Sequence, residues 1–535
     1  MFFNSNKDKP PQQQKQEEQK KQQDIIQEAQ KNQETLKNNT GLTPQNCTNL
    51  IYIRSKQGVY SSNIFQQGTD EENRYFTGSA DQMIQSQDQQ YIVITQDIGV
   101  TIVSTQDKKI IYKKQFINIK TVYLNVFFFL KKKYKLKQYK KQLKYIQVID
   151  HIDNNKYILF LYSFPDFKLI NQWEHKRFIK ENVPYVKFNQ GEEKAFIYNY
   201  NSGFLEVINV KNNEIIQQAE MQKIDFFSLS PTHDYVVGCA PEHMMGYEKT
   251  QARLQFYNLE KGKREKVKNV EEAQEISLKW SPDGNNVCIL TQAIHDQTGN
   301  SYYGQTIMLY YAFNSKKLLI IPTIEGPAHD FAWNPNSEDF MIISGYMPAK
   351  PVLYTSKCEP IFQFGNTHRN TIRYSPNGRF VLIGGFGNIS GDVDIWDLKN
   401  LQKIANFKAA TASIIEWGKD SRTILTAVVT PRLRVDNNFK VFGFNGDLVN
   451  FGNFTHTELY DVQWKVQEKV GKEISEEEIQ KNCQQFLSKN NQGQAKTGGG
   501  GSFAAMLRSD KDDKPSKLTG QEEWILKTKE QNKKK

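Results

Sequence analysis

The sequence predicts an all-β fold, a WD-type β-propeller of nine blades, and three observations predict it. First, short runs rich in Val, Ile, Tyr, Phe and Thr alternate with turn clusters through the middle of the chain. Examples are Tyr91–Thr95, Tyr157–Tyr162, Tyr235–Ala240, Phe340–Gly345 and Thr423–Val429. Such residues fit half-buried strands, and few segments there hold a 3.6-residue period. Second, a unit recurs: an apolar or aromatic residue, a small polar one, often Pro, a turn residue, then a strand. Its copies begin at Phe188, Leu229, Trp280, Trp333, Tyr374 and Trp417, spaced 41, 51, 53, 41 and 43 residues, and Trp464 lies 47 further on. Third, that spacing is close to the length of a blade, a four-stranded sheet that buries its faces only against neighbouring blades. At a mean spacing near 46, residues 46–466 hold about nine units.

Taken in chain order, residues 1–45 contain eleven Gln and almost no aromatic side chain after Phe3. Too little apolar surface is available there to offset ordering entropy, so a disordered arm is expected, with transient helix around Asp24–Lys37. Within the propeller region, residues 122–144 are atypical. Val122–Leu130 is apolar, and residues 131–144 carry eight Lys. One reading is a Lys-rich RNA-contacting loop, its tyrosines stacking bases. The other is a retained intron: Val122–Gln138 uses residues with A/T-rich codons, and a terminal Gln fits a stop codon read as glutamine. Sequencing the transcript decides between them. Residues 467–535 form a basic tail with short helices. There, Ser475 followed by Glu476–Glu478 reads as a capping box, and Ile479, Cys483, Phe486 and Leu487 make one apolar stripe. The stripe suits docking on a partner or on the propeller itself.

Composition bounds the function classes. The net charge of +11 suits a polyanionic partner such as RNA. Five well-separated cysteines, Cys47, Cys239, Cys288, Cys358 and Cys483, form no C-x-x-C pair, which argues against zinc or a disulfide framework. The first ten residues hold no apolar signal core, and no apolar run approaches a membrane span. Hydrolase elbows, phosphate-binding P-loops and His-Glu-x-x-His motifs are missing. The His329-Asp330 and His233-Asp234 pairs suggest acid–base dyads, but paired His and Asp inside blades more often serve structure. Arg432 and Arg434 are expected on one face of an extended segment, placed to grip phosphate or to pair with carboxylates of the next blade.

The stretches GYMPAK (345–350), FGNISGDVDIWD (386–397) and TPRLRVDN (430–437) resemble the eukaryotic translation initiation factor 2A family. The match is clear over about residues 280–466 and fainter back to about residue 50. The resemblance implies a nine-bladed propeller, binding to the small ribosomal subunit, and initiator tRNA delivery without GTP hydrolysis in specialised or non-AUG initiation. Family members carry a long Lys-rich C-terminal region; only 69 residues follow the propeller here. The expected protein is a cytoplasmic, monomeric, non-enzymatic factor without cofactor or metal. Its expected partners are the small subunit, initiator tRNA, mRNA and other initiation factors. An assembly scaffold within the translation machinery is the alternative. The residues expected to contact RNA or ribosome are Arg369, Arg373, Arg432, Arg434, Lys131, Lys132, Lys133, Lys533, Lys534 and Lys535.

Overall fold

A computed structural model describes residues 23–34, 50–63, 73–86, 89–96, 99–116, 119–124, 145–153, 156–176, 178–221, 223–245, 248–294, 304–324, 326–454, 457–465, 474–496 and 516–517. Nine antiparallel sheets, each with four consecutive propeller strands, make nine blades. Blade 1 joins the two ends of the ring. Its inner strand is Leu459–Trp464, followed outward by Leu50–Ser55, Gly58–Asn63 and Arg74–Thr77. The inner strands of blades 2 to 9 are Gln82–Gln85, Ile119–Leu124, Lys187–Phe188, Phe226–Leu229, Glu275–Trp280, Ala328–Trp333, Thr371–Tyr374 and Ile414–Trp417.

The core of this ring lies between the blades. Nine apolar clusters occur among the described residues, and each joins one blade to the next. The cluster closing the circle packs Ile51, Ile53, Leu459 and Val462 of blade 1 against Leu425, Phe439 and Val441 of blade 9. A single blade cannot bury both faces, so the ring must close to satisfy all of them.

The recurring lead residue ends the inner strand in every copy, from Phe188 to Trp464. Its role is structural. Trp333 Nε1 donates to the Lys279 carbonyl (3.0 Å), Trp417 to Arg373 (2.9 Å) and Trp464 to Glu416 (3.3 Å). Each acceptor immediately precedes the lead residue of the preceding blade. The turns after the inner strands are stapled in series as well. Thr232 Oγ1 donates to the Asp283 carbonyl (2.6 Å), Ser337 Oγ accepts the Asp283 amide (3.0 Å), and Ser421 Oγ accepts the Asn377 amide (3.0 Å). Gly284 and Gly378 hold φ of +74° and +73° in these turns, and a Cβ there would meet the neighbouring blade's Thr232 or Asn334 at 2.1 and 2.4 Å.

Both chain ends return to the rim. Residues 23–34 form a helix (α1) within the stretch expected to be disordered. Ala29 is buried, while Asn32 Nδ2 and Gln33 Nε2 donate to the Leu448 and Val449 carbonyls of blade 9's outer strand, both at 2.9 Å. Amide side chains thus occupy an open sheet edge, and no apolar stripe was needed to announce the helix. A second helix, α2 (Glu476–Lys496), lies against Gln402–Lys408, the outer strand of blade 8. Ile479 is buried among Ile415, Trp417 and Ala405, and the Glu478 amide donates to Ser475 Oγ (3.2 Å). The expected stripe therefore docks on its own propeller through Ile479, Cys483 and Phe486, whose ring lies 5.9 Å from Lys403 Nζ, while Leu487 remains 54% exposed. Ser516–Lys517 pairs with Phe362 and Gln363 at the edge of blade 7. Blade 3's inner strand runs through Leu124, so the first residues of the atypical 122–144 stretch belong to a blade and Val122 is buried. Residues 125–144 lie outside the described residues.

Candidate RNA and ribosome interface

The three distinctive stretches occupy equivalent places. Residues 345–349, 385–391 and 429–437 each join the second to the third strand of a blade, in blades 7, 8 and 9. In an antiparallel blade such loops all emerge on the face opposite the inner-strand turns. Contacts knit them together. Ala349 and Thr367 exchange main-chain hydrogen bonds at 2.9 Å. A Cβ on Gly385 would lie 2.2 Å from the His368 carbonyl, and one on Gly387 would lie 3.3 Å from Arg432 Nη2. Gly387, at φ +89°, leaves room for that guanidinium.

Half-buried Asn370 and buried Asn437 fix the loops of blades 8 and 9. Asn370 Nδ2 donates to the Phe386 carbonyl (2.8 Å), and its Oδ1 accepts the Phe386 amide (2.9 Å). Asn437, 2% exposed, donates to the Leu433 carbonyl (2.7 Å) and accepts the Leu459 amide (3.1 Å). A loop clamped this way loses little further entropy on binding. Its outward residues are Arg432, Arg434 and Val435, and neither guanidinium has a carboxylate partner among the described residues. The segment is a turn, with the Leu433 amide on the Val429 carbonyl (3.3 Å), rather than the extended run expected. Tyr346 (49% exposed) and Met347 (37%) stand on the blade 7 loop. These exposed apolar residues were not singled out by sequence reasoning; the signal available was their place in GYMPAK, a stretch already noted as distinctive.

The other expected contact residues lie elsewhere. Arg369 is largely buried, and its Nε and Nη2 donate to Asp394 Oδ2 at 3.2 and 3.0 Å. Asp394 also receives Lys403 at 2.5 Å, so Arg369 serves blade 8 internally. Arg373 faces the central channel from the inner strand of blade 8. It meets Asp330 at 3.3 Å, beside Lys279, which reaches the same carboxylate at 2.9 Å. Lys131, Lys132, Lys133, Lys533, Lys534 and Lys535 lie outside the described residues.

The supposed acid–base pairs are structural. His329 Nε2 meets the Gly345 carbonyl (2.9 Å), while Asp330 accepts the Ile372 amide of the next blade (2.9 Å). His233 stacks on Tyr235 and Asp234 pairs with Lys194 (2.5 Å). A cleft of about 540 Å³ lies between blades 4, 5 and 6, with Glu181, Asp225 and Glu275 beside Phe178 and Phe226. His243 bonds Asp225 there; Ser277 also lines the cleft, and no hydrogen bond joins it to His243 among the described residues. Among the described residues, no group of three His, Cys, Asp or Glu is placed to hold a metal, and no helix is long and apolar enough to cross a membrane.

Comparisons with known proteins fall on the same blades. Residues 268–462 match the family model described as eukaryotic translation initiation factor eIF2A. They run from the end of blade 5 through blades 6–9 into the inner strand of blade 1. Eukaryotic translation initiation factor 2A of Dictyostelium discoideum is 38% identical over 193 residues, 36% of this chain and 31% of that protein. That of Schizosaccharomyces pombe is 32% identical over 252 residues, 47% of this chain and 43% of that protein. The aligned part thus spans about a third to two-fifths of these relatives' length. A component of eukaryotic translation initiation factor 3 from Xenopus laevis is 24% identical over 42% of this chain and 33% of its own. A solved structure described as a eukaryotic initiation factor superposes with a TM-score of 0.62 at 22% identity, covering 78% of this chain and 98% of that one, which supports the propeller fold. Across the blades that carry residues 268–462, this chain is similar to the eukaryotic translation initiation factor 2A family.

Proposed function

We propose that the chain is a non-enzymatic translation initiation factor that binds the small ribosomal subunit, promoting GTP-independent delivery of initiator tRNA in specialised or non-AUG initiation. One observation carries the reading. The family-matching residues 268–462 build consecutive blades, and their three distinctive stretches meet on one face with Arg432 and Arg434 exposed there. Guanidiniums held on a rigid loop suit phosphate, and a net charge of +11 suits a ribonucleoprotein surface. Initiator tRNA, mRNA and other initiation factors complete the proposed partners, and the proposed compartment is the cytoplasm.

Co-sedimentation with purified small subunits tests this. Binding is expected at low salt and should fall steeply as salt rises, because phosphate contacts release counterions. Absence of binding at every ionic strength overturns the reading. A second reading, a protein-assembly scaffold, draws on exposed Tyr346 and Met347, residue types favoured at protein interfaces. Partners that survive nuclease treatment in a pull-down favour it.

A further inference from the structure

The outer strand of blade 5, Lys263–Val270, carries Lys263, Arg264, Lys266 and Lys268, and Lys261 precedes it in the turn. Lysines on a sheet edge have an ordinary use, since they discourage edge-to-edge pairing. The other eight outer strands show how much of that use requires. Among them the count of Lys and Arg runs from none, as in Glu214–Glu220 and Leu448–Asn453, to two, as in Ile110–Gln115 and Gln402–Lys408. Four cations in one strand exceed what edge protection takes.

The strand's one carboxylate does not neutralise them. Glu265 sits at an irregularity in the ladder, where Lys266 faces Phe256 and Arg264 faces Tyr257. Its side chain is 3% exposed and paired with Lys316 of blade 6 at 2.6 Å. Lys263, Arg264 and Lys268 remain exposed beside Val267, and no ion pair engages them among the described residues. The register sets Lys266 opposite Phe256 and Lys268 opposite Leu254, so the two project on one side of the sheet at alternate positions. The result is a rigid row of positive charge on the circumference, away from the loop face of blades 7–9. Only its last residues, from 268, fall within the family match.

We propose that this strand binds the sugar–phosphate backbone of RNA, independently of base sequence. Lysines act on phosphate as point charges and read no base edge. The lysine stems give the backbone an apolar floor. The choice of RNA as the polyanion rests on the function proposed above. The site therefore supplies a second contact on the same ribonucleoprotein, to the side of the Arg432–Arg434 loop.

The test measures binding of the full chain to a labelled uridine homopolymer across a salt series, for the parent and for a variant carrying Lys263→Gln, Lys266→Gln and Lys268→Gln. Glutamine keeps most of each stem, and thermal unfolding checks that the fold is intact. Each lost phosphate contact on a single strand lowers the slope of log Kd against log salt by about 0.7, so the triple variant should lose about two units of slope. Affinity at low salt should fall by at least about tenfold. A variant with the parental slope and affinity overturns the proposal, as does equal binding and equal sensitivity with a polyglutamate probe. Sedimentation with small subunits separates the two claims. RNA binding that needs the lysines, without any association with small subunits, sinks the initiation-factor reading alone. Association with small subunits, together with lysine-independent RNA affinity, sinks this proposal alone.

Discussion

At the scale of single residues, periodic aromatics prove to be staples between blades. Trp417 donates its indole N–H to the Arg373 carbonyl, and its ring sits 8% exposed between Phe380 and the blade 9 strands. Trp417→Phe keeps most of the apolar volume but leaves that carbonyl without its indole donor, so stability should drop by about 1–2 kcal/mol in denaturant titration. The positions of these lead residues were legible because they recur. The pairing of each N–H with the preceding blade was not, because the acceptors are main-chain atoms that carry no sequence signature. A second residue makes stability depend on pH. His175 is buried against Tyr185 and Tyr200, its Nε2 has no partner among the described residues, and burial pushes its pKa down to about 4. The unfolded chain titrates near 6.5, so between these values it binds more protons than the native state. Stability is therefore full above pH 6.5 and is lost as pH falls towards 4, by up to about 2–3 kcal/mol. His175→Phe should flatten that part of the curve, as read by thermal unfolding at pH 4.5 and 7.

At the scale of elements, the two helices show where sequence reading succeeds and where it stops. The start of α2 is written in Ser475 and the acidic residues after it, and the structure keeps the Ser475 cap. Its docking site was open because the stripe is as suitable for a partner as for the propeller. What decides it is long-range charge. Glu476 meets both Arg379 (2.7 Å) and Lys399 (2.6 Å), and Glu478 meets Arg422 (2.8 Å), whose side chain is 3% exposed. These partners lie more than 50 residues away, and only folding brings them to the helix. Docking of α2 then leans on Ile479, so Ile479→Ala should cost about 2–4 kcal/mol of docking and open the helix to protease. The propeller's own transition should stay in place, because the interblade clusters do not depend on α2. By contrast, α1 was legible only as transient helix around Asp24–Lys37, and its docking on blade 9 gave no signal. Its contacts are an Asn and a Gln on edge carbonyls, in a segment where glutamine is everywhere. The candidate interface was half legible for a related reason. Its three stretches were visible as unusual sequence, but their meeting on one face follows only from equivalent loop positions in successive blades.

At the scale of the molecule, ring closure is the weak point and the place where stability is held. Every blade has two neighbours only because Leu459–Trp464 joins the three strands of blade 1 that begin the ring. Leu459 and Val462 are fully buried, each worth about 1.5–3 kcal/mol on burial, and they cover Ile51, Ile53 and Val441. Losing this strand exposes one face of blade 9 and one of blade 1 together. Unlike an open solenoid, which sheds a terminal repeat and keeps the rest, a ring loses two interfaces at one cut. A chain ending at residue 454 should therefore aggregate or unfold without a single sharp transition. A chain ending at residue 465, which lacks α2 and the basic tail but keeps Trp464, should melt cooperatively. Comparing the two by calorimetry separates closure from chain length, since they differ by only eleven residues. The same pair bears on function. If the shorter chain melted as sharply as the longer one, the blades would be independent units, and the three loops of blades 7–9 would have no fixed frame on which to present Arg432, Arg434 and Tyr346 to a single surface.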